Sequence, residues 1–115
     1  MADDKLIVQR RAGTRPGVQV LAITGAIRYG ALEPLQEAVK SVKEPVLILE
    51  MSGVPYMDST AVGALVQAYV TCQKTGRKLA LVGMNGRVAN VLHLVGVDIL
   101  FNSFENLPQA EAAVP

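Results

Sequence analysis

Apolar residues recur along this chain in two rhythms. From Leu6 to Arg10 apolar and polar residues loosely alternate, as in a half-exposed strand. The turn-rich stretch Ala12-Gly13-Thr14-Arg15-Pro16-Gly17 separates it from Val18, Val20 and Leu21-Ala22-Ile23, which end at Gly25. Together they predict a hairpin with a long loop. Leu32, Leu35, Ala38-Val39 and Val42 then recur about every three to four residues, the stripe of an amphipathic helix. Pro34 falls in its first turn, where a missing N–H costs nothing. Pro45 to Met51 is a short, continuous apolar run followed by Ser52-Gly53, the pattern of a buried strand.

Asp58 is a preferred N-cap, and the helix it opens runs to about Thr75 and stops at Gly76. Leu79 to Val82 is another buried strand, and Asn85-Gly86 predicts a turn. Val88, Val91-Leu92 and Val95 form a further helical stripe closed by Gly96. Phe101 to Phe104 predicts a last short strand, and Leu107 to Val114 a terminal helix with Pro108 in its first turn. After the hairpin, strands and helices alternate. The expected fold is α/β: a mixed, mostly parallel sheet of about four to five strands, an antiparallel N-terminal edge strand and about four helices. No repeat, low-complexity tract or linker divides the chain, so the 115 residues read as one domain.

Composition narrows the function. Half the residues are apolar, enough for one sizeable core. The net charge of +1 offers no footprint for nucleic acid or an anionic membrane, and Arg77-Lys78 is the one basic cluster the sequence suggests. Cys72 is the single cysteine, which excludes an internal disulfide and suits a reducing compartment. The acidic start, Met1 to Lys5, lacks the basic and apolar regions of a signal peptide. The apolar runs fall far short of the ~20 residues of a membrane span. These features lead us to expect a soluble, cytoplasmic protein.

Catalytic chemistry is sparse. His93, the single histidine, falls in the 87–95 helical segment as a partly buried or rim residue, and no soft ligands sit at metal spacing. Cys72 reads as a small core residue. Gly83 to Gly86 lacks a phosphate-loop fingerprint, and the acidic residues do not pair. A small enzyme using Ser59 as nucleophile would lack a base, so no enzyme and no cofactor is expected.

The chemistry that remains is Asp58-Ser59-Thr60. Its hydroxyls stand in a helix's first turn, where backbone N–H groups and the helix dipole favour negative charge. A plain cap explains the same residues. Two features favour more. The preceding loop, Val54-Pro55-Tyr56-Met57, is apolar and aromatic, which suits either packing under the sheet rim or a partner surface. The helix is also apolar nearly all round: Val62, Leu65, Val66 and Tyr69 suit the sheet, and Ala61, Ala64, Ala68 and Val70 fall on other sides, which leaves a small-residue surface for a partner helix or marks a well-buried helix.

The run Leu49-Glu50-Met51-Ser52-Gly53-Val54-Pro55-Tyr56-Met57-Asp58-Ser59-Thr60-Ala61-Val62-Gly63 resembles the signature of the STAS domain, and more narrowly that of bacterial anti-sigma factor antagonists. The resemblance extends from about Leu6 to Val114, through Gly25, Gly76-Arg77-Lys78-Leu79, Val91-Leu92 and Val95-Gly96-Val97. It implies a partner-switching regulator. The unphosphorylated antagonist binds an anti-sigma factor that is itself a serine kinase, releasing a sigma factor; phosphorylation ends the complex and a phosphatase restores it. Carried onto this chain, the resemblance makes Ser59 the phosphoacceptor, Asp58 the adjoining cap and Thr60 a flanking contact or secondary acceptor. Tyr56, Met57, Arg28 and Val62 join Asp58 and Thr60 as partner-binding residues, and ATP belongs to the kinase. Arg28 stands where the family usually has an acid and Ala61 where it usually has glycine. The alternative is a non-switched STAS module of a signalling scaffold or transporter complex. A monomer or weak dimer is expected, with no direct contact to nucleic acid.

Overall fold

The computed structural model describes residues 5–113. The acidic residues Met1 to Asp4 and the expected helix end at Val114 lie outside the described residues. Strands β1 (Ile7–Ala12), β2 (Val18–Thr24), β3 (Val46–Gly53), β4 (Lys78–Val82) and β5 (Asn102–Phe104) form one sheet in the order β1-β2-β3-β4-β5. β1 is antiparallel to β2, and every later pair is parallel. Helices α1 (Glu33–Ser41), α2 (Ser59–Lys74) and α3 (Gly86–Val95) form the crossovers, and α4 (Leu107–Ala113) follows β5. This is the mixed sheet with an antiparallel edge strand that the alternating pattern predicts.

Continuous apolar strands need cover on both faces. Val46, Leu47, Ile48 and Leu49 of β3 are all at most 4% exposed. Leu21, Ile23, Leu47, Leu49 and Leu81 pack with Leu35 and Val39 of α1, Leu65 and Cys72 of α2, and Val88 and Leu92 of α3. The alternate residues Val18, Val20, Val46, Ile48, Ala80 and Val82 pack against Ala110 of α4. Thus, among the described residues, the short α4 is the helix that shields the second face. Glu111, almost fully buried, fastens it there: its carboxylate accepts the Thr14 N–H at 2.8 Å and the Thr14 hydroxyl. Those bonds hold the acid well below its usual pKa.

Two local expectations change. Asn85-Gly86 is the start of α3, not a free turn: the Asn85 side chain accepts the Val88 N–H at 2.9 Å, which makes it the N-cap. The small residues of α2 are not a free surface either. Ala61, Ala64 and Ala68 are 0%, 8% and 3% exposed. Their small size lets α1 pack beside α2, with Val39, Ala64 and Ala68 lining the groove between the helices. Only a narrow line including Gly63 and Gln67 stays exposed.

Glycines at the site end differ in what they permit. Gly53 sits where β2 and β3 lose register, and a Cβ there would fall 2.8 Å from the Ile23 carbonyl oxygen. Gly63, inside α2, has nothing within 4 Å of a built Cβ. Gly63→Ala is therefore expected to raise stability by about 0.5–1 kcal/mol through helix propensity. Gly53→Ala is expected to lower it by about 1–3 kcal/mol through overpacking. Urea unfolding of both variants checks the opposite signs.

Candidate functional site

The site begins where β3 ends. Val54 is fully buried and its N–H bonds back to the Met51 carbonyl at 3.0 Å, turning the chain across the strand ends. The loop then runs alongside the segment that follows β2. Gly25 N donates to the Gly53 carbonyl at 3.0 Å, Ile27 N to that of Tyr56 at 3.3 Å, and Asp58 N to that of Ile27 at 3.2 Å. Ile27 and Met57 form a parallel bridge. Gly25 can make this turn because its φ is +111°.

Asp58 closes the assembly. One carboxylate oxygen accepts the Thr60 N–H at 3.0 Å, the Thr60 hydroxyl at 2.6 Å and the Ala61 N–H at 3.1 Å. The other accepts the Tyr29 N–H at 3.0 Å. Asp58 thus caps α2 and ties its start to the segment leading into α1. These donors, the Thr60 hydroxyl first and the Tyr29 amide next, hold its carboxyl below the usual aspartate pKa.

The two hydroxyls after Asp58 differ. That of Thr60 is engaged by the carboxylate. That of Ser59 is exposed and, among the described residues, has no hydrogen-bond partner. The geometry alone separates the two hydroxyls that a cap motif leaves equivalent.

The surroundings are aromatic. Tyr29 is 77% exposed and Tyr56 40%. The Arg87 guanidinium lies 5.6 Å from the Tyr56 ring centroid, a cation–π contact. Asn85, besides capping α3, donates from its side-chain amide to the Val54 and Pro55 carbonyls at 3.2 and 3.1 Å. The start of α3 therefore supports the loop before Ser59. Tyr29, Asn85 and Arg87 were not among the residues the sequence suggested. Asn85 ahead of a helical stripe is a readable cap, but its reach to residues about thirty positions earlier is not.

Of the expected partner-binding residues, Asp58, Thr60 and Tyr56 gather around Ser59. Met57 and Val62 are only 4% and 5% exposed and belong to the core, so neither offers a side chain to a partner. Met57 points inward from the Ile27 bridge, and Val62 lies on the packed side of α2. Arg28 is half-buried and lines a hollow with Lys5, Leu6, Glu33 and Pro34, one residue from the Tyr29 amide that binds Asp58. His93 is not a rim residue but largely exposed, its Nδ1 lying 3.0 Å from an Asp98 carboxylate oxygen. Cys72 is buried in the core, and burial pushes its thiol pKa up. Among the described residues no three His, Cys, Asp or Glu side chains gather as a metal site, and no helix is long and apolar enough to cross a membrane.

A carboxylate whose pKa is depressed by folding stabilises the fold above its unfolded value of about 3.9, and that contribution fades as pH falls through the depressed value. Asp58→Ala should cost about 0.5–2 kcal/mol at neutral pH. The gap between wild type and variant should narrow below about pH 4. Thermal unfolding of both proteins across the acid range measures this, and a gap independent of pH would contradict it.

Comparison with known proteins places this geometry. The chain is similar over 98% of its length to an anti-sigma factor antagonist from Mycobacterium paratuberculosis, at 24% identity and a TM-score of 0.86, covering 97% of that chain. It is similar to a sulfate transporter family protein from Wolinella succinogenes at 28% identity and a TM-score of 0.77, covering 89% of this chain and 87% of that one. It is 29% identical over 85 residues to YvdB of Bacillus subtilis, a protein named for sulfate transport. That match takes in 71% of this chain and only 16% of YvdB. The STAS domain family model matches residues 9–110. With most of its length matched, this chain belongs to the STAS domain family.

Proposed function

We propose that this chain is an anti-sigma factor antagonist that works by partner switching. In its unphosphorylated form it binds an anti-sigma factor that is also a serine kinase, which releases a sigma factor. Phosphorylation of Ser59 by that kinase ends the complex, and a phosphatase restores it. The observation that carries this reading is the Ser59 hydroxyl. It is exposed and without a protein partner among the described residues, at the first position of α2. Beside it, the Thr60 hydroxyl and the Thr60 and Ala61 amides are already taken up by Asp58.

The physics of modification fits that position. A phosphate on Ser59 brings roughly −1.5 to −2 charges to a helix N-terminus, which the dipole tolerates. The same charge stands beside the ionised Asp58, so a partner seated over Tyr29, Tyr56 and Thr60 meets repulsion and a desolvation cost. Loss of ~3 kcal/mol would weaken binding more than a hundredfold without a change of fold. Arg28, where the family usually has an acid, adjusts which partner fits.

A second reading has its own support. The likeness to YvdB and to the Wolinella succinogenes protein, at 29% and 28% identity, favours a STAS module serving an anion transporter. In that case the same surface recruits a membrane partner and Ser59 need not be modified.

Incubation with the cognate anti-sigma kinase and ATP, followed by mass spectrometry, should place one phosphate on Ser59 and none on the Ser59→Ala variant. Ser59→Asp should weaken kinase binding by more than about a hundredfold while the melting temperature stays nearly constant. A label that persists in Ser59→Ala, or its absence from wild type together with co-purification of a membrane transporter, would favour the second reading.

A further inference from the structure

The net charge of +1 conceals a division of charge along the strand axis. The parallel strands start together, with Val18, Val46 and the beginning of β4 at Lys78 in register. Helices α1 and α2 end there. Lys40 lies in the last turn of α1 and Lys74 in the last turn of α2, and Lys43 follows α1 in the connection to β3. Arg77 donates to the Val42 carbonyl at 2.6 Å, joining the two connections. Arg10 reaches from β1 to the Ser41 hydroxyl at the end of α1. The folded chain thus gathers a broad basic face where the sequence suggests only the Arg77-Lys78 pair.

Little at this end neutralises it. Arg10 and Arg77 bond to neutral oxygens. Lys40, Lys43, Lys74 and Lys78 are exposed, and among the described residues none is ion-paired. Of the nearby acids, Glu111 is committed to Thr14, Glu44 accepts the Lys43 backbone N–H at 3.3 Å, and Asp98, in the turn that carries Ile99, lies 3.0 Å from His93 Nδ1. Glu33 and Asp58, which open α1 and α2, lie at the other end.

Apolar side chains are exposed at the same end of the sheet. Where α3 ends and the short 3-10 turn Asp98–Leu100 follows, Leu94, Val95 and Ile99 are 75%, 52% and 87% exposed. That turn leads into β5, whose Asn102 pairs with Ala80 just past Lys78, so it stands at the same end of the sheet.

We propose that this end of the domain docks on an anionic lipid surface. Lysines and arginines would meet the phosphate headgroups, and Ile99 and Leu94 would enter the interfacial layer. Diffuse cations joined to protruding aliphatic groups are the two signals that hold a peripheral protein on lipid. Nucleic acid fits the face less well. Tyr69 and Phe101, the nearest rings, pack edge to face at 5.9 Å and are not available for base stacking. The helices present their C-terminal ends here, and no helix or ribbon projects to enter a groove. Docked in this way, the domain holds Asp58 and Ser59 away from the lipid, open to a partner.

Sedimentation with vesicles tests the proposal. The protein should bind phosphatidylcholine vesicles that contain phosphatidylglycerol and ignore pure phosphatidylcholine. Raising the salt from about 0.1 M to about 1 M should release it. Lys40→Gln, Lys43→Gln and Lys78→Gln should each weaken binding about fivefold. Ile99→Ser should weaken it about tenfold, with an unchanged melting temperature. Failure to bind the anionic vesicles would overturn the proposal, as would binding indifferent to Ile99→Ser. Tighter binding to a single-stranded oligonucleotide under the same salt would assign the face to nucleic acid instead, and self-association abolished by the lysine changes would assign it to a second copy.

Discussion

The end of the domain that carries the candidate site is held by one carboxylate. Asp58 receives hydrogen bonds from two backbone amides and a hydroxyl at the start of α2, and from the Tyr29 amide in the segment leading to α1. Charge-assisted hydrogen bonds of this kind are stronger than neutral ones. They join stretches that the chain separates by a helix and a strand. Besides them the loop after β3 and the segment after β2 meet through the Gly25–Gly53 bond, the Ile27–Met57 bridge with its backbone bonds, and the shared core. The shape of the surface around Ser59 depends on that join.

The fold was largely legible because its determinants are local. Buried β3 announces itself in Val46-Leu47-Ile48-Leu49, and α1 in the spacing of Leu35 and Val39. The crossover rule then leaves few ways to connect parallel strands. What was not legible depends on contacts between distant residues. The alanine stripe of α2 looked open because nothing in the sequence says that α1 will lie against it. Met57 is buried where a loop residue gives no sign of which side turns inward, while Val62 packs on the sheet side that its helical spacing suits. Asn85 was read from its dipeptide with glycine, whereas its cap geometry decides the matter. Ser59 could be chosen over Thr60 only through a family resemblance; in the folded chain the occupied Thr60 hydroxyl marks the difference directly.

Charge was the most misleading quantity to read along the chain. A sum near zero says nothing about arrangement in space. Parallel crossovers carry every helix from one end of the sheet to the other, so residues at successive helix ends accumulate at one pole. Lys40 and Lys74 close α1 and α2, whereas Asp58 and Glu33 open them. Each choice suits its helix dipole. Repeated over α1 and α2, a local preference gathers an excess of lysines at one pole and leaves the Asp58 carboxylate at the other, where Arg28 and Arg87 also lie.

The unpartnered hydroxyl of Ser59 has an evolutionary consequence. Asp58 performs structural duties that few side chains can take over, so drift at that position is penalised through folding itself. Ser59 performs none in the folded chain. A lineage could exchange it for alanine and keep the same fold, the same cap and the same aromatic surroundings. Under the proposed switching role, selection on that serine would act through signalling rather than through the fold.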